Sequence, residues 1–211
     1  MWISLTLVAV SALSAQSAGS LEAVECKVSD VQYAGRKAVR IDAAATAPNG
    51  NSLAFVKGSR FHNGTIEVEV AGKPGAGAGA GARGFIGLAF RTGNGKYESI
   101  YLRPTNGRAP DQVRRNHSTQ YHSHPDYDFA RLRKESPEKY ESYVDLEPGV
   151  WTKMRITVEG TKARLYVHGA EQPCLIVDDM KLGDIAGGVA LWVGPGTEGY
   201  FANLKITAAG E

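Results

Sequence analysis

The chain has 211 residues, 43% of them hydrophobic, and a formal net charge of +2. This length allows one substantial core, and the even composition predicts a single domain behind a leader segment. Because the net charge is close to zero, the composition argues against a whole-protein field that would collect nucleic acid or a membrane surface. Any electrostatic recognition must then be local.

Residues 1–18 have the pattern of an export signal. An apolar run from Ile3 to Leu13 is followed by the small-residue segment SALSAQSAGS, which is typical of a signal-peptidase site. Cleavage after Ala15, Ser17 or Ala18 fits the pattern equally well. A membrane anchor is the alternative, but the apolar run is shorter than the roughly 18 to 20 residues that a spanning helix needs. We therefore expect a secreted or periplasmic protein whose folded domain covers residues 26–207.

The two cysteines, Cys26 and Cys174, allow two predictions. An exported chain passes through a compartment where such a pair can oxidise, so a disulfide could tie the first strand to a late one. In the chain-entropy model a bridge over so long a loop would stabilise the fold by roughly 4 to 5 kcal/mol. The alternative is two free thiols, because the sequence sets no distance between them.

Short runs of Val, Ile, Thr and Tyr between turn residues predict an all-β chain with few helices. The runs at 26–33 and 37–42 form a predicted hairpin, and 63–70 alternates apolar and polar residues, which indicates one buried and one wet face. We interpret Glu67 and Glu69 on that wet face as solubilising residues and not as a catalytic pair.

The glycine-rich segment GKPGAGAGAGARG, residues 72–84, predicts a flexible loop inserted at a hairpin tip. A phosphate-binding glycine loop would end in GK followed by Ser or Thr and would begin a helix. Neither feature is present in the sequence, so the segment predicts no phosphate site.

The strand GFIGLAFR places small residues and one arginine on the same face. Gly87 and Ala89 leave room above the sheet, and Arg91 projects from that side. A short turn leads into YESIYLR, so the two strands are predicted neighbours with Arg91, Tyr101 and Arg103 close together. Two arginines on one sheet face repel each other unless an anion or a carboxylate lies between them. Strict alternation places Glu98 on the other face, so the pattern allows a bound anionic group.

Beyond Pro104 the sequence predicts a basic loop and a further short strand. The loop carries Asn106 and several arginines, and the strand ends in Gln120 and Tyr121. Arginine, tyrosine and amide side chains in this density suit the recognition of hydroxyl-rich or anionic ligands. A solvated strand edge is the alternative interpretation.

Helical spacing appears between residues 126 and 142, with Ser136 and Pro137 as the predicted cap and first turn of a second short helix. His122 and His124 stand beside two aspartates in this region, but no spacing supplies a third metal ligand. No metal site is predicted from them.

Strands return after residue 150, with a hairpin over 151–167 and further strands at 175–177, 188–193 and 200–206. In the run GGVALWV the alternation places Trp192 opposite the core face, above small Ala190. Trp192 there offers a flat platform for a sugar ring, or it packs under the helical segment. Structural calcium is possible at three aspartates, but their spacing matches no binding loop and no cofactor is predicted; these are Asp178, Asp179 and Asp184.

The order of GFIGLAFR, YESIYLRPTN, HSTQY, a Trp-containing strand and a closing FANLKI strand resembles the concanavalin A-like jelly-roll families. Within them it is similar to bacterial exported laminin-G-like and 3-keto-disaccharide hydrolase-type domains, over residues 28–206. The resemblance implies a two-sheet antiparallel jelly-roll sandwich with a short helical excursion around 126–142. It also implies a ligand across the concave sheet, which would display Arg91, Tyr101, Arg103, Tyr121 or Gln120, and Trp192.

Three functions are compatible with these residues. The first is an exported carbohydrate-binding or glycan-interaction module, with stacking on Trp192 and Tyr101 and hydrogen bonds from Arg103, Asn106 and Gln120. Carbohydrate or a glycoconjugate is the expected partner.

The second is a hydrolase or lyase acting on keto- or uronic sugars. Arg91 and Arg103 would neutralise a carboxylate or polarise a keto group, and Tyr121 or His122 would serve as base or acid. Gln120-Tyr121-His122 resembles the Gln-x-His element of jelly-roll alginate lyases, whereas the ExDxxE run of related glucanases is missing from the sequence. The third function is a structural protein-interaction domain whose sheet face is covered by the helical segment.

Overall fold

The computed structural model describes residues 12–15, 17–44 and 52–209. The predicted export signal lies largely outside these residues, so secretion stays a prediction. Within the described part of the chain, neither helix has the length and hydrophobicity needed to cross a membrane.

The described chain is built almost entirely from β-strands. In chain order these are β1 (Ala12–Ala15), β2 (Leu21–Val24), β3 (Cys26–Tyr33), β4 (Arg36–Ala43), β5 (Ser52–Val56), β6 (Gly64–Pro74), β7 (Ile86–Gly93), β8 (Lys96–Leu102), β9 (Thr119–His124), β10 (Glu141–Ser142), β11 (Thr152–Glu159), β12 (Lys162–Val167), β13 (Leu175–Val177), β14 (Gly188–Val193) and β15 (Thr197–Ala208). The helices are α1 (Gln112–Asn116) and α2 (Phe129–Glu135), and single 3-10 turns cover Ala18–Ser20 and Pro104–Asn106.

These strands form two antiparallel sheets that pack face to face, which confirms the predicted jelly-roll sandwich. Sheet A has the spatial order β13, β12, β11, β6, β15, β4, β3, and β1 pairs with the C-terminal half of β15. Sheet B has the order β10, β9, β8, β7, β14, β5, β2. Helix α1 lies in the connection from β8 to β9, and α2 and the short strand β10 lie between β9 and β11.

The core lies between the sheets and follows the predicted alternation. In sheet A, Met154 and Ile156 of β11 are fully buried, and in sheet B, Ile86 and Leu88 of β7 are fully buried. Each such side chain stabilises the fold by about 1.5–3 kcal/mol relative to an exposed one. The predicted hairpins β3–β4, β7–β8 and β11–β12 are confirmed by their antiparallel pairing.

The glycine-rich segment does not sit at a hairpin tip, as the sequence had suggested. Strand β6 before it pairs with β11 and β15 in sheet A, whereas β7 after it pairs with β8 and β14 in sheet B. The segment is therefore a crossover between the two sheets. It enters sheet B at the central strand β7.

Both helices begin at an aspartate. The Asp111 side chain accepts the backbone N–H of Arg114, and the Asp128 side chain accepts that of Arg131, which are N-cap hydrogen bonds. The prediction of a second helix from Ser136 was wrong, because residues 137–140 form a turn. Strand β10 must follow at once to pair with β9, and an extended chain cannot also continue a helix.

The predicted disulfide is also wrong, because both cysteines are free thiols. Cys26 opens β3 at one edge of sheet A, whereas Cys174 directly precedes β13 at the opposite edge. Six strand spacings separate these edges, which corresponds to about 25–30 Å. A disulfide requires Cα atoms within about 7 Å of each other. The strand order therefore rules out the bridge.

Candidate functional site

One face of sheet B packs on the core, and the opposite face, which we call the groove face, forms the floor of a groove of about 1190 Å³. The glycine-rich crossover forms one wall, and the segments leading into α1 and α2 form the others. At the bottom lie the rings of Phe85, Tyr101, His122 and Trp192. All of these rings come from sheet B or from the residue just before β7.

Gly87 explains why aromatic rings meet there. In the strand register Gly87 of β7 stands opposite Tyr101 of β8 on one side and Trp192 of β14 on the other. A Cβ atom at Gly87 would lie 2.6 Å from the Tyr101 Cα atom, which is closer than real contacts allow. Because glycine lacks that atom, the Tyr101 and Trp192 rings approach to 4.5 Å between centroids.

His122 completes the aromatic floor. Its ring centroid lies 5.5 Å from that of Tyr101 and 5.7 Å from that of Trp192. Trp192 is only 2% exposed, so it is a packed part of the floor and not the open platform considered from the sequence. Burial, together with the charges of His124 and Arg103, lowers the pKa of His122 to about 3. The imidazole is therefore neutral at physiological pH.

Arg103 lines the groove, whereas Gln120, a predicted ligand-binding residue, is fully buried behind it. Arg103 donates from Nη2 to the Tyr101 hydroxyl and to Gln120 Oε1, both at 3.0 Å, and from Nη1 to Glu141 Oε1 at 2.6 Å. Gln120 donates in turn to the Tyr121 carbonyl at 2.6 Å. Tyr101 and Gln120 are directly opposed in the β8–β9 register, which is why one guanidinium reaches both.

Glu141 neutralises two arginines of the site. It also accepts hydrogen bonds from Arg133 at 2.5 and 2.8 Å, while its own side chain is 2% exposed. Burial acts to raise the pKa of Glu141, but the hydrogen bonds and charges of Arg133 and Arg103 outweigh burial and lower it. Glu141 is thus an ionised carboxylate, and both of its oxygens accept hydrogen bonds from these arginines.

Asn106 lines the groove as predicted, and its amide orients a neighbouring arginine. Its Nδ2 donates to the His117 carbonyl at 2.9 Å, and its Oδ1 accepts from Arg114 Nε at 2.9 Å. Arg114 also donates from Nη2 to the Thr105 carbonyl and hydroxyl at 3.1 and 3.0 Å. The basic loop noted in the sequence is therefore a fixed wall of the groove.

Arg91 does not join the site, which corrects its predicted place beside Tyr101 and Arg103. The β7–β8 register shifts after Phe90, and Arg91 adopts a positive φ of 53°. This irregularity turns the side chain away from the groove face. The fully buried guanidinium instead donates to the carbonyls of Gly160 and Gly183 at 2.7 and 2.5 Å.

Tyr121, a predicted ligand-binding and catalytic residue, points into the core. Its hydroxyl donates to Glu98 Oε2 at 2.7 Å and accepts the Lys181 backbone N–H at 2.8 Å. Burial and the nearby Glu98 charge raise the pKa of Tyr121. Strict alternation puts Gln120 and Tyr121 on opposite faces, and the register gives the groove face to Gln120.

The sequence missed several side chains that line the groove. Arg83 lies at the end of the glycine-rich crossover, and its position there was hidden by the interpretation of this segment as a hairpin tip. Phe129 of α2 covers the site from above and is 48% exposed. The sequence indicated only that Phe129 belongs to a helical segment, and not that the helix lies over the groove.

The groove face extends beyond this site. A second cavity of about 310 Å³ lies next to it, lined by residues of β2, β5 and the β7–β8 turn. His124 lines both cavities and stacks on Tyr97 with 4.8 Å between ring centroids. The two spaces therefore follow one another along the same sheet face.

No arrangement of three metal-binding side chains occurs in the described ranges. The aspartates considered for calcium are engaged by different basic partners. Asp178 pairs with Arg164, Asp179 with Lys139 and Lys181, and Asp184 with His62 and Arg91.

The fold and the groove together define a jelly-roll sandwich with an aromatic-floored cleft on one sheet. No protein-family model and no curated protein sequence matches the chain. Among solved structures, it is similar to the carbohydrate-binding module CBM66 from Bacillus subtilis, with 12% identity and a TM-score of 0.61 over 88% of this chain and 94% of that one.

Two further structures are similar. The cellulose-induced protein Cip1 has 11% identity and a TM-score of 0.55, over 92% of this chain and 95% of that one. A Bacillus subtilis protein of unknown function with a galectin-like fold has 10% identity and a TM-score of 0.53, over 89% of each chain. At this identity the likeness shows the fold alone. The narrower resemblance to laminin-G-like and 3-keto-disaccharide hydrolase-type domains stays a prediction.

Proposed function

We propose that the protein is a glycan-binding module that holds its ligand in the groove of sheet B. The observation that carries the proposal is the groove itself, with an aromatic floor at Tyr101 and Trp192 and polar walls at Arg103, Asn106 and Arg114. Sugars present apolar C–H faces and many hydroxyl groups, so they suit a site that combines aromatic rings with hydrogen-bond donors.

Two further considerations support this proposal. The fold is similar to a carbohydrate-binding module of Bacillus subtilis. The leader pattern at residues 1–18 agrees with export, where extracellular or periplasmic glycans are met. The proposal therefore includes secretion and a place among the exported laminin-G-like and 3-keto-disaccharide hydrolase-type domains.

The test is binding of the purified protein to a panel of neutral and acidic polysaccharides, followed by calorimetry on the best ligand. Phe129→Ala removes an exposed ring over the groove and should weaken binding about five- to tenfold, the scale of a lost aromatic contact. Ile176→Ala is the matched control, because Ile176 is 50% exposed on sheet A and lies outside the groove. The proposal would be contradicted if the protein bound no glycan, or if both variants had the same affinity for the ligand.

A second candidate is a glycan-active enzyme, favoured by the position of the His122 imidazole next to Tyr101 on the floor. A neutral histidine can accept a proton as a general base, and the lowered pKa makes His122 a weak one. Incubation of the best ligand with the protein, followed by mass spectrometry, separates the two candidates. A mass change that disappears in His122→Gln would establish the enzyme, and an unchanged ligand would leave the binding module.

A further inference from the structure

Arg83 and Arg114 line the groove, and each has donors without a partner among the described residues. Arg83 donates from Nη1 to the carbonyls of Ala80 and Ala82 at 2.7 and 3.1 Å, which leaves its Nε and Nη2 without a hydrogen bond to described residues. Arg114 uses Nε and Nη2 on Asn106 and Thr105 and leaves Nη1 similarly unused. Guanidinium groups are over-represented where planar carboxylate or phosphate-like groups are bound.

The backbone brings these two arginines to the same wall. The Thr105 N–H donates to the Arg83 carbonyl at 3.2 Å, and Thr105 in turn accepts from Arg114 through its carbonyl and hydroxyl. The crossover and the loop after β8 are thus tied together at Thr105. Burial, and then the charges of Arg114 and Arg103, lower the pKa of Arg83, which indicates that these cations lie within range of one another.

The carboxylates that line the groove do not pair with Arg83 or Arg114. Glu141 is shared by Arg103 and Arg133, and Asp111 and Asp128 each accept the backbone N–H of a helix start. Neither Arg83 nor Arg114 forms an ion pair with a described carboxylate. Like charges placed together in this way repel unless an anion lies between them.

We infer that the groove selects acidic glycans, with a carboxylate or sulfate ester of the sugar bound by Arg83 and Arg114 while its ring lies over the aromatic floor. This inference rests on the proposed function, because it names the ligand class of the same site. A uronic acid and a sulfated sugar present the same chemistry to a guanidinium pair. The two sources are therefore separated by experiment.

The experiment compares matched ligands by calorimetry. Tetragalacturonate is paired with its methyl ester, a sulfated carrageenan tetrasaccharide with its desulfated form, and a carboxymethylated cello-oligosaccharide with the unmodified one of the same length. We expect the acidic member of at least one pair to bind at least about tenfold more tightly, the scale of a charge-assisted hydrogen bond. Raising salt from about 50 to about 500 mM should reduce that preference, because salt screens exposed charges.

The variants assign the preference to residues. Arg83→Gln and Arg114→Gln should each weaken the acidic ligand about tenfold and weaken the neutral one much less, because the neutral sugar loses only an uncharged hydrogen bond. Arg60→Gln is the control, because Arg60 is exposed and lies outside the groove. Thermal melting of each variant shows whether it remains folded, and Arg114→Lys, which keeps the charge, should retain part of the preference.

The outcomes separate the two claims. The acidic-glycan inference would be overturned if the acidic and neutral members of every ligand pair bound equally, or if both glutamine variants bound the acidic ligand as the wild type does. The proposed glycan-binding function would not be affected. Failure to bind any glycan, acidic or neutral, would overturn the proposed function itself. Equal binding of inorganic polyphosphate, lost in the same variants, would show a general polyanion site and would also overturn the inference.

Discussion

The carboxylate of Glu141 offers the sharpest test of how this site is held together. Glu141→Gln keeps the shape of the side chain but removes the charge that Arg103 and Arg133 share. Arg103 is only 6% exposed at its side chain, so its guanidinium would remain buried without a counter-charge. Removing one partner of a buried pair costs about 3–5 kcal/mol, and the 39% exposed Arg133 adds less than about 1 kcal/mol because water screens it.

We therefore expect the free energy of unfolding to fall by about 3–5 kcal/mol in Glu141→Gln, measured by urea denaturation near neutral pH. The lowered pKa of Glu141 sets the pH dependence. A depressed carboxyl pKa stabilises the fold above the unfolded pKa of about 4.3, and this stabilisation is lost as the pH falls through the folded value. The difference between wild type and variant should accordingly shrink in acid.

The matched control is Glu135→Gln, which breaks the exposed pair with Arg131 within α2. It should unfold within error of the wild type, since surface pairs contribute little. A Glu141→Gln variant as stable as this control, or a difference that does not change with pH, would refute the argument that the pair is buried and ionised.

Three other outcomes are expected. When the pH falls from about 7 to about 4.5, the wild type and the exposed control His168→Gln should lose about 2–3 kcal/mol more free energy of unfolding than His122→Gln. The reason is that the unfolded state protonates His122, whereas the folded state keeps it neutral. Parallel curves of stability against pH would contradict this. Gly87→Ala should destabilise by about 1–3 kcal/mol and weaken glycan binding, because its Cβ collides with β8; unchanged melting and affinity would show that the floor adapts. Unfolding without reductant should release two titratable thiols, Cys26 and Cys174, and their absence would contradict the strand order.

Much of the groove face could be predicted from alternation. Strand side chains alternate between the two faces, which places Tyr101 and Trp192 on the face opposite the core. The short turn after β7 makes β7 and β8 neighbours. These inferences are local, because they depend on residues within one strand or one hairpin. They were confirmed by the register in which Gly87 faces both aromatic residues.

Other features of the site do not follow from strand alternation. Arg91 leaves the groove face because of one bulge, and a single irregular residue does not alter an apolar–polar pattern enough to reveal it. The partner of Arg103 is Glu141, which is distant in sequence and reaches it only because β10 pairs with β9. A sequence does not show which of many carboxylates will be near a given arginine.

The sequence by itself determined most of the strands and the three hairpins, because those follow from local sterics and the burial of apolar side chains. The tertiary structure alone decided the strand order that separates Cys26 from Cys174, the crossover that brings Arg83 to the groove, and the register that turns Tyr121 into the core. Each of these depends on which strands pair across long stretches of chain, and that choice is made by the packing of the whole sandwich.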